Sequence, residues 1–333
     1  MHMSDCLGGY DFYDVEHNTL IEMPRFVNQG TVTADTLANS NAQILEINSK
    51  TGLYPLYVTY SIYRTKCTEY AEDELTLELQ EKLWNDTVEN NIFVVCKTPM
   101  AKQITKRTLV GYKNVKVNAH YFEDLINMLK NKPKQFKDRV LKPSYWKKEG
   151  VKEMKFDAIV GNPPYQESTE NTSDKPIYHL FMESAFNISD KVSFITPARF
   201  LFNARKTPKD FNNKILSDKH FKVVWYKAKS ADVFDNVDIK GGVAVTFRDA
   251  NQEFGEIGIY SDYEELNTIK NKVEKNQFIP LSDLVYAPES YKLTSKIHAD
   301  NDWVKDRLSK GHLYDITTNI FDKLPELFFN EKI

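Results

Sequence analysis

The chain has 333 residues, 41% of them hydrophobic and 27% charged, with a net charge of -3 and a mean hydropathy of -0.52. That balance excludes disordered, fibrous and membrane-bundle classes, and total charge alone makes no case for nucleic-acid binding. No apolar run approaches the ~18 residues of a spanning helix, and Cys6, Cys67 and Cys96 lack the spacing of a zinc site or a disulfide framework, so a cytoplasmic protein with reduced thiols, no metal and no membrane contact is expected.

The start, MHMSDCLGGYDFYD, is acidic where a signal peptide is basic and then apolar, which agrees with a cytoplasmic location. Residues 1–40 are expected to form an N-terminal extension. The first candidate strand is AQILEI (42–47), followed by a helical spacing of Leu75, Leu79, Leu83 and Val88 and then by NIFVVC (91–96). Up to residue 96 the chain carries 15 acidic and 5 basic side chains, whereas residues 97–155 carry 5 acidic and 16 basic. This basic block, with Lys97, Lys102, Lys106, Arg107, Lys113, Lys116 and a run over 130–155, has the composition of a phosphate-neutralising surface, or equally of a solvated helical face.

Further runs follow at NVKVNA (114–119), FDAIVG (156–161), KVSFIT (191–196), FKVVWY (221–226) and GVAVTF (242–247), with a helical pattern from Ile177 through Leu180, Phe181, Ser184, Ala185 and Ile188. Seven strands alternating with helices predict an α/β fold, with a seven-stranded, mostly parallel sheet covered by helices on both faces. Ligands of such sheets sit beyond the carboxyl ends of the strands, where strand order reverses. That rule selects residues 46–52, 97–99, 120–124, 162–165 and 196–200. After about residue 250 the alternation fades, and residues 251–333 are expected to be a short appendage to a catalytic domain over 41–250.

The most specific motif is the run of FDAIVG into Asn162, Pro163, Pro164 and Tyr165. Two prolines in succession fix φ and remove two amide hydrogens, giving a stiff turn with the Pro163 carbonyl available as an acceptor. Asn162 offers a second acceptor oxygen. A planar amino group that donates one hydrogen to each loses conjugation of its nitrogen lone pair, which then faces an electrophilic methyl. Tyr165 can stack on the ring that carries the amine. A Pro-Pro turn that merely ends a strand is the plainer alternative, and the position after a buried-type strand favours the chemical reading.

These residues resemble the S-adenosylmethionine-dependent, amino-methylating DNA methyltransferases, above all the adenine enzymes of restriction-modification systems with a type IIG-like methylase domain. The resemblance covers about residues 42–248 and implies a Rossmann-like methyltransferase fold, double-stranded DNA as substrate, and an adenine flipped out of the duplex with its N6 held by Asn162 and the Pro163 carbonyl. It also implies a cofactor loop in ILEINSKTGLYPLY, with Glu46 in the acidic place, Asn48, Ser49 and Thr51 in the small polar stretch, and Gly52 at the tight turn before a helix. Asn162 borders the cofactor as well. The second cofactor position departs from the family: Cys96, Lys97 and Thr98 precede Pro99 where an acid normally holds the ribose. Asn118, His120 and Phe122 are candidates for the cofactor adenine, Tyr178 and Phe181 for a pocket wall, and Thr196, Pro197 and Arg199 for the pocket or a phosphate. The resemblance further implies target recognition by residues beyond 250 or by a specificity or nuclease subunit or domain. A non-catalytic DNA-binding remnant, or a methyltransferase for RNA or a protein glutamine, are the competing readings.

Overall fold

A strand that is apolar at every position needs cover on both faces, and the runs IFVVC (92–96) and AIVG (158–161) are buried at every position within the sheet. The computed structural model describes residues 7, 9–14, 19–27, 36–167, 175–203, 207–234, 238–274, 281, 285 and 292–326. Its strands are β1 (Gly9–Asp14), β2 (Thr19–Val27), β3 (Ile44–Ser49), β4 (Ile92–Cys96), β5 (Asn118–Tyr121), β6 (Ala158–Gly161), β7 (Gln166–Glu167), β8 (Lys175–Pro176), β9 (Lys191–Pro197), β10 (Phe221–Lys227) and β11 (Val243–Asp249). Each of the seven apolar runs enters one seven-stranded sheet, in the order β10-β11-β9-β6-β3-β4-β5. Pairing is parallel from β9 through β5, and only β11, inserted between β9 and β10, runs antiparallel to its neighbours. This is a Rossmann-like arrangement, the seven-stranded, mostly parallel sheet with helices that the alternating runs predict. The chain builds β3, β4 and β5 outward in one direction, then returns to lay β6 on the other side of β3. Strand order therefore reverses between β3 and β6.

Helices α1 (Leu53–Cys67), α2 (Leu77–Asn90), α3 (Pro99–Val110), α4 (Leu125–Asn131), α5 (Pro133–Val140), α6 (Tyr178–Phe186) and α7 (Lys209–Leu216) connect the strands. Alternate residues of β3 and β4 point to opposite faces, and each set meets its own core. Leu45, Ile47, Phe93 and Val95 join Phe136, Trp146, Phe156 and Phe181 on one face. Ile44, Val94 and Cys96 join Val58, Ile62 and Leu109 on the other. Helix starts follow local chemistry: Thr76 accepts from Leu79 N at 3.2 Å, and Thr98 accepts from Ala101 N at 3.1 Å with Pro99 in the first turn.

The third strand begins four residues later than its apolar run. The Asn118 side chain donates to the carbonyls of Glu89 and Ile92 at 2.7 and 3.0 Å, and the ladder with β4 opens at Phe93 opposite Asn118. Within the segment expected only as an extension, β1 and β2 pair as an antiparallel hairpin. A second hairpin, β7 with β8, follows the Asn-Pro-Pro-Tyr motif.

The chain divides into two compact units, Met1–Asp262 and Tyr263–Ile333. The second contains α8 (Glu264–Glu274), α9 (Ser295–Asp300), α10 (Val304–Arg307) and α11 (Ile320–Lys323), with a small core of Leu293, Val304, Ile320 and Leu324. Among the described residues no helix is long and apolar enough to cross a membrane.

Candidate active site

Glu46 lies inside β3, on the face covered by α1, and is 5% exposed. Its surroundings are Ile44, Pro55, Val58, Ile92 and Val160. Burial pushes its carboxyl up from the ordinary 4.5 to about 8, against the opposing pull of a hydrogen bond with Ser49 and the charge of Lys50. Oε2 has no hydrogen-bond partner among the described residues. Two residues on, the ladder with β4 slips between Ile47 and Ser49. The residue in the slip is Asn48, left-handed at φ 72 and buried, with its Nδ2 likewise unpartnered. A bulge that re-aims a side chain at a sheet edge is a frequent feature of binding sites.

On the other side of the switch point β6 runs parallel to β3, with Glu46 opposite Val160. Gly161 ends β6 at close quarters: a Cβ there would lie 3.3 Å from the Ile47 carbonyl and 3.5 Å from the Phe194 ring. The chain then leaves the sheet as Asn162, Pro163, Pro164 and Tyr165. These four residues line a cavity of about 420 Å3 together with Lys50, Gln166, Arg199, Phe234, Asp238 and Ile239. Asn162 Oδ1 and Tyr165 OH are buried without a partner among the described residues. Burial raises the Tyr165 phenol above its usual range, and its ring packs on Phe234 at 6.3 Å. Thr196, fully buried near the end of β9, adds a further unpartnered hydroxyl. Arg199 is aimed by a 2.8 Å bond from its Nε to the Lys240 carbonyl, while Ala198 N donates to the Gly242 carbonyl at 3.0 Å. Buried polar atoms left unpaired are costly, and here they gather at the carboxyl ends of β3, β6 and β9.

The structure thus brings Glu46, Asn48 and the four motif residues to one switch point, but sorts the remaining expected residues differently. Ser49 turns toward α3, where its Oγ lies 3.0 Å from Thr105 Oγ1, and the Thr51 carbonyl accepts from Thr108 Oγ1 at 2.6 Å. Gly52, left-handed at φ 80, starts α1. Phe122 is 6% exposed in the core, its ring 5.3 Å from Phe136 and 6.0 Å from Tyr145, and it is absent from the cavity lining. Asn118 sits at the amino end of its strand, away from the loops of the site. His120 stacks on Tyr145 at 4.1 Å, and burial together with Lys102 lowers its pKa. Tyr178 and Phe181 are core residues, the former bonded through its hydroxyl to Thr207 at 2.9 Å. Where the family places a ribose acid, Thr98 and Pro99 instead start α3, a role their residue types explain fully.

Lys50, Phe234, Asp238 and Ile239 line the cavity without having been singled out from the sequence. They come from loops after β3 and before β11. Part of the basic block is engaged with acidic α2: Lys113 pairs with Glu81 at 2.7 Å, Lys116 approaches Glu89 at 4.0 Å, and Lys148 donates to the Glu89 carbonyl at 2.9 Å. The rest of the block is mostly surface, with Lys130, Lys132, Lys134, Lys142 and Lys152 exposed.

Residues 90–234 match the family model described as Eco57I restriction-modification methylase; the match includes the Asn-Pro-Pro-Tyr motif and leaves the loop at 46–52 outside. A protein of Mycoplasma pneumoniae described as an uncharacterized adenine-specific methylase is 35% identical over 95 residues, which amount to 27% of this chain and 22% of that protein. The chain thus covers about a fifth of that relative's length. Among solved structures, a nuclease-deletion mutant of the Type ISP restriction-modification enzyme LlaGI aligns over 72% of this chain and 23% of its own, at 11% identity and a TM-score of 0.43. The type I restriction-modification methyltransferase subunit from Streptococcus thermophilus aligns over 80% and 53%, at 12% identity and a TM-score of 0.39. Over the segment that carries the Asn-Pro-Pro-Tyr cavity, the chain is similar to the methylases of restriction-modification systems.

Proposed function

We propose that the chain is an adenine-specific DNA methyltransferase that transfers a methyl group from S-adenosylmethionine to the N6 amine of a flipped adenine, as part of a restriction-modification system. The observation that carries this reading is the buried, unpartnered Asn162 Oδ1, beside the Pro163 carbonyl in a cavity walled by Tyr165 and Phe234. Two fixed acceptors suit an amine with two hydrogens, and an aromatic wall suits a base that has left its stack. Neither acceptor is a general base, and none is needed, because the amine proton can leave after the new bond forms.

The donors and acceptors around the switch point fit the cofactor. Glu46 Oε2 and Asn48 Nδ2 are buried and unpartnered among the described residues, an acceptor for an ammonium and a donor for a carboxylate, the two charged groups on the α-carbon of a methionine moiety. S-Adenosylmethionine supplies the electrophilic methyl when bound; the protein's own part is to hold the amine at Asn162 and Pro163 and to stack the base on Tyr165. Arg199, which lines the cavity, is placed for a phosphate that flanks a flipped nucleotide. The exposed lysines of the basic block extend that attraction to duplex DNA. We take residues 41–250 as the catalytic domain and assign target recognition in part to residues 251–333, with a specificity or nuclease subunit or domain as a further partner. The reaction belongs in the cytoplasm, with the DNA.

The test is transfer of labelled methyl from S-adenosylmethionine to unmethylated DNA, RNA and protein offered in parallel. Label in DNA alone is the expected result. Label in RNA or protein would reassign the acceptor, and none in any, with no binding of the cofactor, would favour a non-catalytic remnant.

A further inference from the structure

We propose that α3 sets the shape of the cofactor loop: Thr105 and Thr108 are positioning residues that anchor Ser49 and Thr51, so that Glu46, Asn48 and Lys50 are the side chains the loop presents to its ligand. The inference rests on the reading of residues 46–52 as a cofactor loop.

Three contacts join the loop to one face of α3. Ser49 Oγ meets Thr105 Oγ1 at 3.0 Å, both side chains being buried. Thr108 Oγ1 lies 2.6 Å from the Thr51 carbonyl and 3.1 Å from that of Ile104; its single hydroxyl proton goes to the shorter contact. Gly52 packs so closely that a Cβ would stand 3.0 Å from Thr105 Cα and 3.1 Å from Thr108 Cβ. Residues 105 and 108 are one helical turn apart and share a face, so a single rigid element holds three positions of the loop.

The need for such a brace follows from the loop's composition. Asn48 and Gly52 both adopt left-handed backbone, at φ 72 and 80. Glycine does so freely, but Asn48 meets a steric penalty, and a residue in that region persists only when its surroundings over-determine it. A loop with one glycine is thus held in shape from outside instead of by its own residues. The brace also explains why the Ser49 side chain turns to α3 and does not reach the cavity.

Calorimetric titration with S-adenosylmethionine tests this, using Thr105→Val and Thr108→Val to delete each hydroxyl at nearly constant volume and Thr105→Ser to restore one. Each valine variant is expected to bind about five-fold more weakly, the loss of one ordinary hydrogen bond, and Thr105→Ser to recover most of that. In turnover, KM for the cofactor rises while kcat at saturating cofactor and KM for DNA hold. Ser49→Ala removes the same bond from the other side, so it should weaken binding by a similar factor and add little to Thr105→Val; this pair also decides the matter if Thr105→Val does not fold. If the unaltered protein binds the cofactor and the valine variants and Ser49→Ala bind it equally well, the brace is refuted and the cofactor loop stands. If the unaltered protein does not bind it, both fall.

Discussion

Replacing Glu46 with glutamine keeps the shape of the buried carboxyl and removes its titration. In the folded chain the group is pushed from 4.5 to about 8 by burial, so folding favours its neutral form. Below about pH 4.5 folded and unfolded chains are both protonated and the group is neutral in effect. As pH rises from there toward 8 the unfolded chain ionises first, binds fewer protons than the folded one, and stability falls. At 1.36 kcal/mol per unit the loss is under about 1 kcal/mol near pH 5, roughly 3 kcal/mol near pH 7, and levels off at almost 5 kcal/mol above pH 8. Glu46→Gln escapes this loss, so its advantage over the unaltered protein should grow with pH across that window. Urea unfolding followed by circular dichroism, at matched pH, measures the difference, and every other titrating group cancels in it. An advantage that does not change between about pH 5 and pH 8 would refute a buried neutral acid at the heart of β3. Above about pH 8 the carboxyl is charged without help, whereas below that pH a bound ammonium must displace its proton, so cofactor binding near neutrality should release a proton, read as a dependence of the binding heat on buffer.

Substitutions at two further positions probe the motif and the strand end before it. Tyr165→Phe removes a buried hydroxyl that has no partner while keeping the ring, so stability should hold or rise slightly and methylation should persist, whereas Tyr165→Ala loses the stacking wall and should raise KM for DNA by ten-fold or more, on the order of 1–3 kcal/mol; equal activity of Tyr165→Ala would remove the stacking role. Gly161→Ala inserts a methyl 3.3 Å from the Ile47 carbonyl and must part β3 from β6, so a destabilisation of about 1–3 kcal/mol is expected together with weaker cofactor binding; an unchanged melting temperature would show that the strands have room to spare.

The sheet was legible because burial on both faces writes itself as unbroken apolar runs, as in IFVVC of β4. It was less legible at β5, where Val115 and Val117 carry the pattern but the side chain of Asn118 decides where pairing starts. The Asn-Pro-Pro-Tyr turn could be read because its chemistry is contained in four consecutive residues. Phe122 could not: an aromatic after a strand faces either the ligand or the core, and only the packing of Phe136 and Tyr145 around it settles the choice. For the same reason the loop sequence named Ser49 and Thr51 as ligand-facing, since nothing in it foretold that threonines more than fifty residues away would bond them. Asp238 and Phe234 enter the cavity through the antiparallel pairing of β11 with β9, a relation between segments that no local pattern encodes.

The central claim is that Asn162 holds the amine that receives the methyl group. The most direct measurement is nucleoside analysis of genomic DNA from a strain lacking adenine methylation, after incubation with labelled S-adenosylmethionine and either the unaltered protein or Asn162→Ala. Label in N6-methyladenine is expected from the unaltered protein, with a loss of at least a hundred-fold in Asn162→Ala, about 2.7 kcal/mol or more of transition-state stabilisation, and cofactor affinity changed far less. Full methylation by Asn162→Ala, or label confined to another base, would contradict it.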